Sequence, residues 1–258
     1  MRFRFNSGST YLREIQRCDR CGHFISVHNM DEGTLYSEDY VTSTYGTDGI
    51  RKAFERITAL DPVKSDNVGR VARVVEFARS RLLAPVKENR PPSVLDVGSG
   101  LCVFLHRMKA ANWEGTALDP DERAIRHAHE VVGVRGIRGD FLQATDLGRY
   151  DLVTFNKVLE HVKDPVAMLA RSAAFLRAGG FVYLEVPDGE SAVLDGPGRE
   201  EFFIDHHHIF SAASLALMVV GAGFRLCVLE RLQEPSTKYT LRAFVECGET
   251  SGRETCRV

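Results

Sequence analysis

Three aspartates in the middle of the chain are spaced as though for one site. Asp96 closes the run Val94-Leu95 and leads into Val97-Gly98-Ser99-Gly100. Asp119, followed by Pro120, closes a second apolar run, about 20 residues beyond the glycine turn, where a carboxylate can hold ribose hydroxyls. Asp140 closes a third and is followed by Phe141, a pair able to bond an adenine amino group and cover its ring face. Glycine at 98 and 100 lets the backbone approach a ligand closely and take positive φ. A helix opening just after the turn would aim free N–H groups at that ligand. Taken singly, each aspartate is equally a helix N-cap and the glycine pair a bare tight turn. Together, three carboxylates repel a phosphate-rich ligand and suit one with ribose hydroxyls, adenine and a positive charge. A dinucleotide turn needs a third glycine, and Val103 stands there instead.

Histidine supplies a second chemistry, proton transfer near neutral pH. His161 lies in Leu159-Glu160-His161, and Asp205-His206-His207-His208 precedes Ile209-Phe210-Ser211. His206 is the expected base, with Asp205 orienting it; His161 is either a second base or a structural group. Metal binding by the three consecutive histidines and simple capping by Ser211 with solvated histidines are the alternatives. No metal ligand is assigned. Cys18-Asp19-Arg20-Cys21 has the spacing of half a zinc site, but a structural zinc takes four ligands. Only His23 and His28 lie near in sequence, and Cys247 or Cys256 would have to fold back to complete the set.

Alternating elements must position these residues. Short apolar runs at 93–98, 115–119, 134–140, 150–156 and 180–186 read as strands, with helices near 102–111, 121–131, 163–177 and 211–221. Strands alternating with helices imply a mainly parallel, doubly wound α/β sheet covered on both faces, with its ligand at the carboxyl ends of the strands. Phe224–Glu230 and Tyr239–Cys247 have no helix between them and are expected to form an antiparallel edge. Val71, Val74, Val75, Ala78, Leu82 and Leu83 predict an amphipathic helix over 64–84. The expected division is a cap over 1–90, a ligand-binding domain over 91–247 and a tail over 248–258.

Several motifs resemble the class I S-adenosylmethionine-dependent methyltransferases, a Rossmann-like family. They are Asp96-Val97-Gly98-Ser99-Gly100, Ala117-Leu118-Asp119-Pro120, Gly139-Asp140-Phe141, Tyr150 to Asn156, Val158 to Val162, Leu176 to Gly180 and Glu185-Val186-Pro187-Asp188. The resemblance covers roughly 93–247. It implies S-adenosylmethionine as cofactor, with Asp96, Gly98, Ser99 and Gly100 at its methionine part and Asp119 and Pro120 at the ribose. It also implies Asp140 and Phe141 at the adenine and Asn156 near the sulfonium. Cys102 stands where the family often has a further glycine. The segment from Asp205 to Ser211 is similar to the Glu-His-x-x-Tyr-Phe-Ser segment of sugar C-methyltransferases, except that Ile209 replaces the tyrosine. The Cys18 turn resembles the second half of a zinc module preceding some sugar methyltransferases. Tyr45, the last of Tyr36, Tyr40 and Tyr45, either reaches the methyl end or packs a linker. The resemblance therefore implies a small-molecule acceptor, with a nucleotide-linked sugar leading and a quinone precursor close behind. A non-catalytic cofactor-binding module is the alternative.

Composition narrows the rest. Lys and Arg number 33 against 35 Asp and Glu, which excludes a broadly basic nucleic-acid binder. No apolar run nears the ~20 residues that span a bilayer. No membrane partner is expected, and the N-terminus lacks the apolar core of a signal peptide. Six cysteines are too few for a disulfide scaffold, so a reducing cytoplasm is expected, with the chain a monomer or homodimer.

Overall fold

The structure, a computed structural model, describes residues 13–28, 49–82 and 88–248. The first elements are two strands absent from the sequence expectations, β1 (Arg13–Arg17) and β2 (Phe24–His28), paired antiparallel around the Cys18–Gly22 turn. Alternation in β2 buries Phe24 and Ser26 while Ile25 and Val27 face outward, the pattern of a strand covered on one face.

The main sheet contains β3 (Ser93–Val97), β4 (Glu114–Asp119), β5 (Arg135–Arg138), β6 (Tyr150–Asn156) and β7 (Leu176–Pro187). A short strand, β8 (His208–Ile209), joins β2, and β9 (Phe224–Gln233) and β10 (Tyr239–Cys247) complete the main sheet. Its order is β5-β4-β3-β6-β7-β10-β9. The first five are parallel, and β10 runs antiparallel to both β7 and β9, as the missing crossover helix requires. Both faces are buried. Leu95, Val97, Val153 and Phe155 enter one apolar layer, and Val94, Leu152, Phe181 and Tyr183 the other.

Helix Asp66–Arg81 falls within residues 1–90, the expected cap, yet Val74 and Phe77 lie in the second of those layers. Phe77 stacks on Phe244 of β10 with ring centroids 4.2 Å apart. The boundary expected at 90 therefore does not separate two cores. The expected helix over 163–177 is shorter: Asp164 caps Pro165–Arg171, a tight turn follows, and β7 begins at Leu176. No helix among the described residues is long and apolar enough to cross a membrane.

The strand order reverses between β3 and β6, whose neighbours lie on opposite sides. Carboxyl ends meeting at such a switch leave a crevice for a ligand.

Candidate active site

Asp96 ends β3 inside that crevice. Its Oδ1 accepts hydrogen bonds from Thr154 Oγ1 at 2.6 Å and Asn156 Nδ2 at 2.8 Å, so β6 fixes its direction. Burial raises its pKa to about 6, against those two donors and the Arg70 guanidinium. Asn156 Oδ1 is buried and accepts no hydrogen bond. Gly98 has φ of +68°, and a Cβ there would lie 2.8 Å from Val158 Cγ2, so the turn requires glycine. Gly100, at +48°, donates its N–H to Asp119 Oδ2 at 2.9 Å. Asp121 N–H donates to Asp119 Oδ1, also at 2.9 Å. Asp119 thus braces the glycine turn, and it is Asp121 that caps the next helix. Ser99 is buried beside them, and Pro120 is exposed.

The other cofactor candidates are less uniform. Asp140 lies two residues beyond β5 and accepts from Leu142 N–H at 2.8 Å, starting a turn. The Phe141 ring packs edge-on against Phe155 at 5.6 Å and beside Phe175, in the core. Cys102 is buried and left-handed at φ +54° and starts helix Val103–Ala110. Burial pushes its thiol up to about 12, so it is a small hydrophobe and not a nucleophile.

Beside this crevice lies a cavity of about 290 Å³ at the ends of β6 and β7. Glu160, His161, Asp205, His206 and Lys157 line it. His206 accepts orientation from a different group than expected. Its Nδ1 bonds the Glu201 carbonyl at 2.8 Å, while Asp205 Oδ1 stands 3.9 Å from Nε2, too far for a hydrogen bond. Asp205 instead faces His161, whose Nδ1 lies 3.1 Å from the Asp205 carbonyl and 3.5 Å from its Oδ2. Burial lowers the His206 pKa, which keeps the imidazole neutral. Glu160, His161 and His206 each place a ligand atom within 4.8 Å of the others, a spacing that could hold one cation.

The consecutive histidines diverge. His207 stacks on His28 at 5.7 Å, and His208 Nδ1 meets His23 Nε2 at 3.0 Å. Ile209 is buried with Phe24, Ala192 and Phe202 under the N-terminal hairpin, where a tyrosine hydroxyl would have no water. Ser211 does form a capping box on helix Ala212–Gly221, and its hydroxyl bonds the Cys21 carbonyl. Cys18 and Cys21 gather no third metal ligand among the described residues. Tyr36, Tyr40, Tyr45 and Cys256 lie outside the described residues.

Two residues absent from the sequence reading complete the site. Lys157 directly follows Asn156. Arg70, on helix Asp66–Arg81, bonds Glu185 Oε2 through Nε at 2.8 Å and Nη2 at 2.5 Å. Its sequence signal is a charge on the buried stripe that continues at Val74 and Phe77.

Residues 69–228 match the methyltransferase domain family, and the chain belongs to it. Glycine turn, ordered Asp96 and seven-stranded sheet together make this a class I S-adenosylmethionine-dependent methyltransferase domain. The ubiquinone biosynthesis O-methyltransferase of Bordetella pertussis is 32% identical over 97 residues, 35% of this chain and 40% of that protein. That of Thiobacillus denitrificans is 30% identical over 146 residues, 50% of this chain and 63% of that protein. The chain thus matches less than two thirds of these relatives' length, 40% of the first and 63% of the second. Magnesium protoporphyrin IX methyltransferase from Synechocystis PCC 6803, solved with S-adenosylhomocysteine, superposes with a TM-score of 0.60 at 17% identity. The match covers 84% of this chain and 100% of that one. The Burkholderia thailandensis 1,6-didemethyltoxoflavin-N1-methyltransferase gives 0.57 at 20%, covering 90% of this chain and 98% of that one.

Proposed function

We propose that the chain is an active methyltransferase for a small molecule, a nucleotide-linked sugar, with His206 as the base. The observation that carries this reading is the polar cavity beside the cofactor crevice, with an imidazole held in one tautomer. Because Nδ1 is tied to a carbonyl, it carries the proton, and Nε2 is left with the lone pair. Carboxylates at Glu160, Glu200, Glu201 and Asp205 suit a hydroxyl-rich ring better than an apolar quinone tail.

Bound S-adenosylmethionine supplies a methyl group on a sulfonium. Asp96, Asn156 and the exposed backbone of Gly98 and Gly100 are the residues that would hold it, with Asp119 and Asp140 further along the strand ends. The raised pKa of Asp96 and the unpaired Asn156 oxygen fit a ligand that brings positive charge and donors. Asp96 attracts such a ligand only when ionised. Affinity for S-adenosylhomocysteine is therefore full only well above pH 6 and declines as pH falls through about 6. Calorimetry across that range should show the decline, and Asp96→Asn should flatten it; a wild-type affinity indifferent to pH would remove Asp96 from the site.

The acceptor is tested by thermal shift and transfer of a labelled methyl group. With S-adenosylhomocysteine present, nucleotide sugars should raise the melting temperature. With labelled S-adenosylmethionine they should take up label. Label entering only phenolic quinone precursors would overturn the sugar assignment.

A further inference from the structure

We propose that Lys157 stabilises an oxyanion formed on the acceptor during transfer, so that the acceptor sugar reacts through an ionised hydroxyl or through the enolate of a ketone with an acidic neighbouring C–H, and not through an amine. This rests on the methyltransferase reading above and narrows its substrate class.

Lys157 has φ of +60°, a left-handed backbone that costs a non-glycine residue about 1–2 kcal/mol. Its N–H donates to the Glu185 carbonyl at 3.1 Å, which holds the turn. Strain retained beside a cavity is a mark of function when the surrounding structure over-determines it. The turn directs a half-buried ammonium into the lining of the cavity that also contains His161 and His206. Nζ donates to Thr240 Oγ1 at 2.7 Å. An ammonium has three N–H donors, and among the described residues only Thr240 accepts from it. Thr240 itself is fully buried, so the ammonium is fixed in place before any ligand arrives.

Charges of both signs surround it. Glu185 faces it from β7 and Glu160 from the loop after β6. Arg70 faces it from helix Asp66–Arg81 and Glu234 from the turn after β9. Glu185 is committed to Arg70, Tyr183 and Arg242. Burial lowers the Lys157 pKa, and the two nearest carboxylates oppose that shift. The remaining N–H groups are spare donors next to a base, the arrangement that stabilises developing negative charge.

The step balances as follows. His206 Nε2 takes a proton from the acceptor O–H or C–H, and the electron pair stays on the acceptor as an oxyanion beside Lys157. That pair, on oxygen or on the conjugated carbon, forms the bond to the methyl carbon. The carbon–sulfur bond breaks with its electrons kept by sulfur, and the proton leaves on the imidazolium. An amine acceptor has no oxyanion to hold and would meet a like charge.

The test uses the full chain saturated with S-adenosylhomocysteine and 4-nitrophenol as probe, whose ionised form absorbs in the visible. The bound probe should ionise about tenfold more readily than the free one, a shift of about one pH unit. Lys157→Arg should keep most of that shift, since it keeps the charge. Lys157→Met should abolish it. Calorimetry should show S-adenosylhomocysteine affinity within about twofold in both variants, which reports an intact fold. An unshifted probe in the wild type, a shift that survives Lys157→Met, or one lost in Lys157→Arg overturns the role of Lys157. Failure of the wild type to bind S-adenosylhomocysteine overturns the methyltransferase reading instead.

Discussion

Replacing His206 with alanine is expected to lower kcat by about 10²–10⁴-fold, the contribution of a positioned general base. The reason is the hydrogen bond from Nδ1 to the Glu201 carbonyl, which leaves Nε2 as the only basic atom. Burial depresses the imidazole pKa, so the base stays neutral and competent below the usual histidine range. The acid limb of the kcat profile should fall there, because protonation removes the lone pair. Affinity for S-adenosylhomocysteine should stay within about twofold, since His206 lies in the acceptor cavity and not in the glycine turn. Asp205→Asn should act through His161, its actual partner, and leave the acid limb set by His206 unmoved. An unchanged kcat in His206→Ala would remove the assignment. Loss of turnover together with loss of S-adenosylhomocysteine binding would show that the structure around the cavity had collapsed, which His206→Gln, keeping a polar side chain in its place, would separate.

Arg70→Met is expected to cost about 3–5 kcal/mol of stability, the consequence of removing one partner from a buried ion pair. Glu185 is fully buried and receives Arg70 through two nitrogens. Burial alone would raise Glu185, but Arg70, Lys157 and Arg242 bring it down to about 2. Its folded pKa is therefore depressed. The stability it contributes is full above the unfolded value of about 4.3 and disappears as pH falls toward 2. The loss in Arg70→Met should be seen at pH 7 as a melting temperature lower by roughly 6–20 °C, at about 2–4 °C per kcal/mol. It should shrink as pH falls through that window. A second substitution, Glu185→Gln, should recover part of it by removing the stranded charge. A drop of less than about 1 kcal/mol at pH 7 would mean that Arg242, 3.4 Å from Glu185, already suffices.

The parallel sheet and the cofactor crevice were legible because their signals are local. Short apolar runs closed by Gly or Asp mark strand ends, and the glycine turn needs a backbone that Val158 leaves no room to change. The antiparallel edge followed from a missing helix between β9 and β10. The N-terminal hairpin was illegible, since its strands have only five residues each and β2 pairs on its other edge with β8, far away in the chain. Phe141 shows the same limit: an aromatic after a strand reads the same whether it faces a ligand or Phe155.

By itself, the sequence determined the fold class, the cofactor crevice and the presence of histidines beyond the strand ends. Each depends on residues close in the chain, or on a repeating pattern that one sheet alone satisfies. Only the tertiary structure decided which groups meet. Asp205 pairs with His161 across 44 positions, Arg70 reaches Glu185 across 115, and Lys157 finds Thr240 across 83. No local period encodes such pairings. They are fixed by strand order and by the cost of leaving a buried charge unmatched.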